Sequence, residues 1–293
     1  MRIPFDETGG KCVFSSEWDK HAVKTYSTNF NEGPHGDITK IAASTIPPHD
    51  ILLAGFPCQP FSRAGLQKGF ADTRGSLFFE ITRIARHHKP KVVVLENVKG
   101  FLRHDDGKTF QTAKRALEAL GYCVYHTILN AKDFGLPQHR ERVYIVAVHT
   151  RKLRGKQFVF PVPPYTPTRI STVLQKRVAS IYTISNSIWK RLQERKQREK
   201  ERGNGFGYRL FLPSAPFINT IIANYGKCGS DLLIAQKHKN PRLLTPREVA
   251  RLQGFPDTFI IPVSDSQAYK QFGNAVAVPV IQAITREVVK MLL

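Results

Sequence analysis

Cys58 sits between two prolines in Pro57-Cys58-Gln59-Pro60-Phe61-Ser62, directly after the apolar run Ile51-Leu52-Leu53-Ala54-Gly55-Phe56. A run of that length and composition reads as a buried parallel strand. The prolines make the next segment a rigid loop, at the strand end where open α/β sheets hold their ligands. A thiol there is a candidate nucleophile; the blander role for a lone cysteine is a small buried apolar residue. The next apolar run, Val92-Val93-Val94-Leu95, ends in Glu96-Asn97-Val98. Two neighbouring strands would then deliver a thiol and a carboxylate to one rim, a pair suited to covalent catalysis with a proton donor.

Such a pair needs a sheet to hold it, and the surrounding pattern supplies one. Strand and helix alternate from about residue 36 to 150. A helical stretch, Leu77–His88, follows the first strand, and a second strand covers 91–96. Phe110, Ala113, Ala116, Leu117 and Leu120 then recur at helical spacing until Gly121 stops the helix. Strand-like runs follow near 122–130 and 143–148. This order predicts an α/β fold, a doubly wound and mostly parallel sheet covered on both faces.

The character changes after Lys152. Pro161, Pro163, Pro164 and Pro167 exclude continuous regular structure. Residues 188–202 (IWKRLQERKQREKER) read as a basic, exposed helix. Gly203-Asn204-Gly205-Phe206-Gly207-Tyr208 has no strand before it and no apolar helix after it. It reads as a loop with aromatic handles, not a nucleotide-phosphate fingerprint. Thr245 is a good N-cap, with Pro246 at the first helical position and Glu248 closing a capping box. Residues 275–293 are apolar enough for a core helix. The chain divides into an α/β domain over 1–159, an irregular basic domain over 160–255, and a return to the first domain over 256–293.

The 293 residues are 41% hydrophobic, normal for a globular protein. Lys and Arg total 44 against 23 acidic residues, a net charge of +21. That surplus favours an anionic partner, nucleic acid first. No apolar run is long enough to span a bilayer, and no secretion signal opens the chain. Cys12, Cys58, Cys123 and Cys228 are too widely spaced for a Cys-x-x-Cys zinc pair, and no metal site is expected. A reduced, cytoplasmic compartment is expected.

Taken together, Pro57-Cys58-Gln59-Pro60-Phe61-Ser62, Glu96-Asn97-Val98 and Gln138-His139-Arg140-Glu141-Arg142 resemble the core motifs of the bacterial DNA cytosine-5 methyltransferases. Arg242-Leu243-Leu244-Thr245-Pro246-Arg247-Glu248, Gln253-Gly254-Phe255-Pro256 and Gln271-Phe272-Gly273-Asn274-Ala275-Val276 continue the resemblance in the family's order, from residue 10 nearly to the end. The resemblance implies a Rossmann-like methyltransferase fold, S-adenosylmethionine as methyl donor, and double-stranded DNA as partner within a restriction–modification system. The chemistry fits the residues. A cytosine ring resists attack until N3 is protonated or strongly hydrogen-bonded; a thiolate then adds at C6, and the resulting enamine attacks a methyl group through C5.

Position by position, Cys58 resembles the nucleophile and Glu96 the group that engages N3. Arg140 and Arg142 resemble the arginines that contact the flipped base, with surface charge on a strand edge as the alternative. Gln59, Ser62 and Arg63 resemble the DNA side of the catalytic loop, and 63–74 the segment that closes over flipped DNA. Glu17 and Trp18 resemble the pair that holds ribose and adenine, and Asp37 with Ile38 the adenine-contacting turn. Pro57, Asn274 and Val276 resemble further walls of that pocket. Core packing for Trp18 and simple turn capping for Asp37 stay open. The resemblance makes 160–245 the target-recognition region, with Thr220-Ile221 where relatives often carry Thr-Leu.

One departure stands out. The family opens with a strand, an Asp-Leu-Phe-x-Gly-x-Gly-Gly turn and a helix, and 1–5 (Met-Arg-Ile-Pro-Phe) reads as unrelated to it. A truncated gene, a misplaced start codon and a split enzyme compete as explanations. The chain is expected to be a monomer, or paired with a separate N-terminal chain, and to hold the cofactor weakly. An RNA cytosine-5 methyltransferase and a non-catalytic DNA-binding remnant are the alternatives. A zinc deaminase is set aside, because no Pro-Cys-x-x-Cys follows His139-Arg140-Glu141.

Overall fold

The structure is a computed structural model and describes residues 1–56, 77–205, 207–227 and 232–293. Its central sheet has the order β1-β2-β5-β3, from β1 (Ile51–Gly55), β2 (Val92–Val98), β3 (Tyr122–Asn130) and β5 (Glu141–His149). The short strand β4 (Gln138–His139) lies between β3 and β5 in sequence. β1 and β2 are parallel, with Gly55 opposite Glu96. β5 runs antiparallel to both β2 and β3. The described sheet is therefore mixed rather than mostly parallel. The cause is the connection: the ten residues 131–140 that join β3 to β5 hold no crossover helix, so the chain returns antiparallel.

Helices cover both faces. Val92, Val94, Tyr144, Val146 and Val148 face α1 (Arg2–Glu7) and the C-terminal helix α8 (Val278–Leu292), through Phe5, Val280, Ile281, Ile284 and Val288. Val93, Leu95, Val143, Ile145 and Ala147 face α3 (Leu77–His88) and α4 (Lys108–Glu118). Strand side chains alternate between faces, and both faces are buried. That is why these strands read as continuous apolar runs. The opening residues have a clear place: 2–7 are helical, and Phe5 is buried against α8. Among the described residues β1 lies at the edge of the sheet. Its apolar residues Ile51 to Ala54 are half-buried, whereas Val92 to Leu95 of β2 are fully buried.

A second core gathers Ile170, Ile218, Ile221, Tyr225 and Ile234 against α6 (Pro246–Leu252) and α7 (Asp265–Asn274). Its strands are β6 (Arg209–Phe211), β8 (Leu232–Gln236) and β9 (Lys239–Arg242) in the order β6-β8-β9, with β7 (Ile218–Asn219) paired separately to β4. The basic helix α5 (Asn186–Glu201) docks beside it through Leu192. Phe272 belongs to this second core and Val276 to the first, so the chain changes cores within five residues.

The expected capping box at Thr245 and Glu248 is present, and Glu248 does more than cap. Its buried carboxylate takes two hydrogen bonds from Arg242, at 2.7 and 2.8 Å, one from the Thr245 N–H at 2.9 Å and one from the Gln175 N–H at 2.8 Å. Glu248→Ala should lower unfolding free energy by about 3–5 kcal/mol, because Arg242 would remain buried without its partner. Urea titration of the variant against the parent checks this.

Candidate active site

Glu96 lies at the carboxyl end of β2, almost fully buried, directly across from Gly55 on β1 and Tyr144 on β5. Arg142 sits one diagonal step away on β5, opposite Val98, so its side chain shares the Glu96 face. Its Nε is 3.1 Å from Glu96 Oε1. Burial pushes the Glu96 carboxyl above the ordinary range, and the Arg142 and Arg140 cations oppose the shift without cancelling it. Glu96 thus keeps its proton to higher pH than a free glutamate. A Cβ added at Gly55 would meet Glu96 Oε2 at 3.8 Å. The two strand ends stand side by side, and the carboxyl lies over the face of the sheet beside Gly55.

The next residue secures the end of β1. Asn97 points to the opposite face, donates from Nδ2 to the Phe56 carbonyl at 3.1 Å, and accepts from the Val98 N–H at 2.8 Å. It ties β2 to the residue from which the Pro57-Cys58 segment departs. In the sequence Asn97 stands only as part of a motif; the signal for its role is a buried amide at the end of an otherwise apolar strand. Pro57, Cys58, Gln59, Ser62, Arg63 and the 63–74 loop lie outside the described residues.

Arg140 is 2% exposed. Its Nη1 donates to the Ile221 carbonyl at 3.1 Å, and its Nη2 donates to the Gly273 and Ala275 carbonyls at 3.0 and 2.7 Å. The guanidinium grips the backbone on both sides of Asn274 and joins it to the second core. Burial lowers its pKa to about 10, so it stays charged at neutral pH. Its terminal nitrogens are aimed at carbonyls, while Arg142 is the arginine aimed at Glu96. Gly273 is needed here: a Cβ would lie 2.5 Å from the Ala223 nitrogen.

Thr220 and Ile221 dock on the same run. Thr220 Oγ1 donates to the His139 carbonyl at 2.7 Å, and the Ile221 N–H donates to Gln138 Oε1 at 2.9 Å. Gln138 in turn donates from Nε2 to the Leu252 carbonyl at 2.9 Å. Ile221 is fully buried, so its side chain faces core rather than surface. Thr220 also lines a cleft with Gly207, Arg209 and Asn219.

Glu17, Trp18, Asp37 and Ile38 lie on two adjacent turns. A parallel bridge between Ser16 and His35 brings the Glu17-Trp18 turn beside the Asp37 turn, with the Glu17 N–H donating to the His35 carbonyl at 2.8 Å. Trp18 is 79% exposed, which removes core packing as its role. Glu17 Oε1 accepts from the Trp18 and Asp19 N–H groups, both at 2.8 Å, leaving Oε2 for a ligand hydroxyl. Asp37 does cap its turn, accepting from the Thr39 N–H at 3.0 Å and the Thr39 hydroxyl at 2.8 Å. Ile38 is held to α3 by Arg83, which donates to its carbonyl at 3.1 Å. Asp19, the N-cap of α2 (Lys20–Phe30), pairs with Lys270 at 2.7 Å, one turn before exposed Asn274. Val276 packs in the first core. An exposed indole beside a carboxylate with a spare oxygen fits an adenosine.

The model of the C-5 cytosine-specific DNA methylases matches residues 1–290. The chain is 55% identical over 293 residues to the type II methyltransferase M.SsoII of Shigella sonnei, covering 99% of this chain and 77% of that one. It is 52% identical to M.DsaV of Dactylococcopsis salina, over 98% of this chain and 82% of that one. The crystal structure of the S. pombe Dnmt2 methyltransferase superposes with a TM-score of 0.78 over 100% of this chain and 96% of that one, at 20% identity. That likeness carries the fold, a Rossmann-like methyltransferase sheet with helices on both faces. With the motif order, the buried Glu96–Arg142 pair and these matches in agreement, the chain belongs to the C-5 cytosine-specific DNA methylase family.

Proposed function

We propose that this enzyme methylates C5 of cytosine within a specific duplex DNA sequence, on a base turned out of the helix, through a covalent bond between Cys58 and C6. The observation that carries the reading is the Glu96 carboxyl, buried and biased towards its protonated form beside the end of β1. Cys58 follows Gly55 by three residues, so chain length alone keeps its Cα within about 11 Å of the strand end opposite Glu96.

The roles follow from the chemistry. Glu96 donates its proton to N3, which draws electrons from the ring and opens C6 to attack. The Cys58 thiolate forms the bond to C6, and the C5–C6 π electrons move towards N3 through C4, leaving an enamine nucleophilic at C5. Arg142 holds the Glu96 carboxyl in place and adds positive charge beside the base. Once C5 carries the methyl group, a solvent base takes the C5 proton, and the C–H electron pair re-forms the C5–C6 double bond. The C6–S bond breaks to release the Cys58 thiolate, and N3 returns its proton to Glu96. S-adenosylmethionine supplies the electrophilic methyl group when bound. Glu17, Trp18, Asp37, Ile38, Pro57, Asn274 and Val276 would hold it, with Arg140 positioning Asn274. Gln59, Ser62, Arg63 and Thr220 would face DNA, and Ile221 would support Thr220 from the core. The proposed recognition domain is 160–255, flanked by the catalytic parts 1–159 and 256–293, with 256–272 of the last part packing on the second core before the chain re-enters the first at Val276; the setting is a restriction–modification system.

Radiolabel from S-adenosylmethionine is expected in 5-methylcytosine at one duplex sequence. Exchanging residues 160–245 for those of a relative should move the label to that relative's sequence at similar turnover. Label in another nucleoside, or a hybrid that keeps its original sequence, would overturn the chemistry or the domain division respectively.

A further inference from the structure

Four arginines recur along α5 at Arg191, Arg195, Arg198 and, just past its end, Arg202. Steps of four, three and four residues put them on one stripe of the helix surface. At 1.5 Å per residue the stripe is about 16 Å long. All four are exposed, and among the described residues only Arg202 of the four has an ion-pair partner, Glu199 at 3.6 Å. Like charges at these spacings repel and weaken a helix. Helix formation therefore does not account for the stripe.

The helix is fixed through a different face. Leu192 is buried with Ile184 and Leu233. Trp189 meets Tyr208 edge-on at 4.7 Å, and Lys196 Nζ lies 4.3 Å above the Tyr208 ring. The backbone at Gly207 presses on α5 so closely that a Cβ there would lie 3.1 Å from the Lys196 side chain. Gly207 also lines the cleft that holds Arg209, Asn219 and Thr220. The stripe is thus presented rigidly on the flank of the cleft that carries the recognition candidate.

We propose that the α5 arginine stripe docks the phosphate backbone of duplex DNA alongside the recognition cleft. The inference rests on duplex DNA as the substrate. A guanidinium binds phosphate oxygens through two parallel N–H groups, which a solvated surface cation does not require. Phosphates of one strand recur about every 3.4 Å along the DNA axis, so the stripe spans roughly five of them.

The test compares the full chain with the triple variants R191A/R195A/R198A and R191K/R195K/R198K. Alanine and lysine are both strong helix formers, and these side chains are exposed, so the helix should persist. Affinity for a duplex extending beyond the target site on both sides is measured over about 50–200 mM salt. The alanine variant should show a log–log salt slope shallower by about 2 to 3, at about 0.9 per lost phosphate contact, with turnover at saturating DNA unchanged. The lysine variant should keep most of the slope. A parental slope in the alanine variant would overturn the proposal. Failure of the parent itself to bind duplex DNA would overturn the reading on which it rests.

Discussion

Replacing Cys58 with serine should abolish the covalent complex that forms on duplex DNA carrying 5-fluorocytosine at the target position. Fluorine at C5 cannot leave as a cation, so an enzyme that has added its thiolate to C6 and methylated C5 is trapped there. A serine hydroxyl is scarcely ionised at neutral pH, and in the proposed mechanism Glu96, whose carboxyl pKa is raised by burial, is a proton donor. Without a thiolate to add at C6, turnover should fall on the order of 10⁴-fold or more. Duplex affinity should stay within a few-fold, because serine differs from cysteine by a single atom and leaves the phosphate-binding cations in place. Denaturing electrophoresis of the trapped complex reads the result. A parental yield of adduct from the serine variant would rule out Cys58 as nucleophile.

Glu96→Gln should lower turnover by about 10²- to 10⁴-fold, with little change in DNA affinity. The amide still donates a hydrogen bond but has no proton to give to N3. The pH dependence carries the sharper prediction. Burial raises the Glu96 carboxyl, so the parent keeps its acid to higher pH than an exposed glutamate would allow. Activity should then decline as pH rises through that raised value and Glu96 loses its proton. The glutamine variant has no such group, so its small residual rate should lack this alkaline limb. Single-turnover rates across pH, measured beside duplex affinity, check both parts. Equal losses in affinity and rate, or an unchanged alkaline limb, would make Glu96 a structural residue instead.

Much of this was legible in the chain because it is written in local patterns. The apolar runs 51–56 and 92–95 became β1 and β2, since a strand buried on both faces has no polar alternation to hide it. Phe110, Ala113, Ala116 and Leu117 became the buried face of α4, and Thr245 with Glu248 formed the expected capping box. The motif order alone pointed to the family. Residues 1–5 read as unrelated to the family's opening, yet the family match begins at residue 1; residues 2–5 belong to α1, whose burial of Phe5 depends on α8, more than 270 residues away in sequence.

Only the tertiary structure decided which of two similar arginines serves the carboxyl. Arg140 and Arg142 are two residues apart and look alike in the chain. The antiparallel register of β5 against β2 sets Arg142 diagonally across from Glu96, while Arg140, on the short run before β5, meets the carbonyls of Ile221, Gly273 and Ala275. Likewise Trp18 proved exposed and Ile221 buried, opposite outcomes for two apolar residues singled out as ligand contacts. Residue type and spacing determined which elements form and which chemistry they carry. Strand register and the meeting of distant segments determined which side chains touch, because those depend on pairings between residues far apart in sequence, and no local period encodes them.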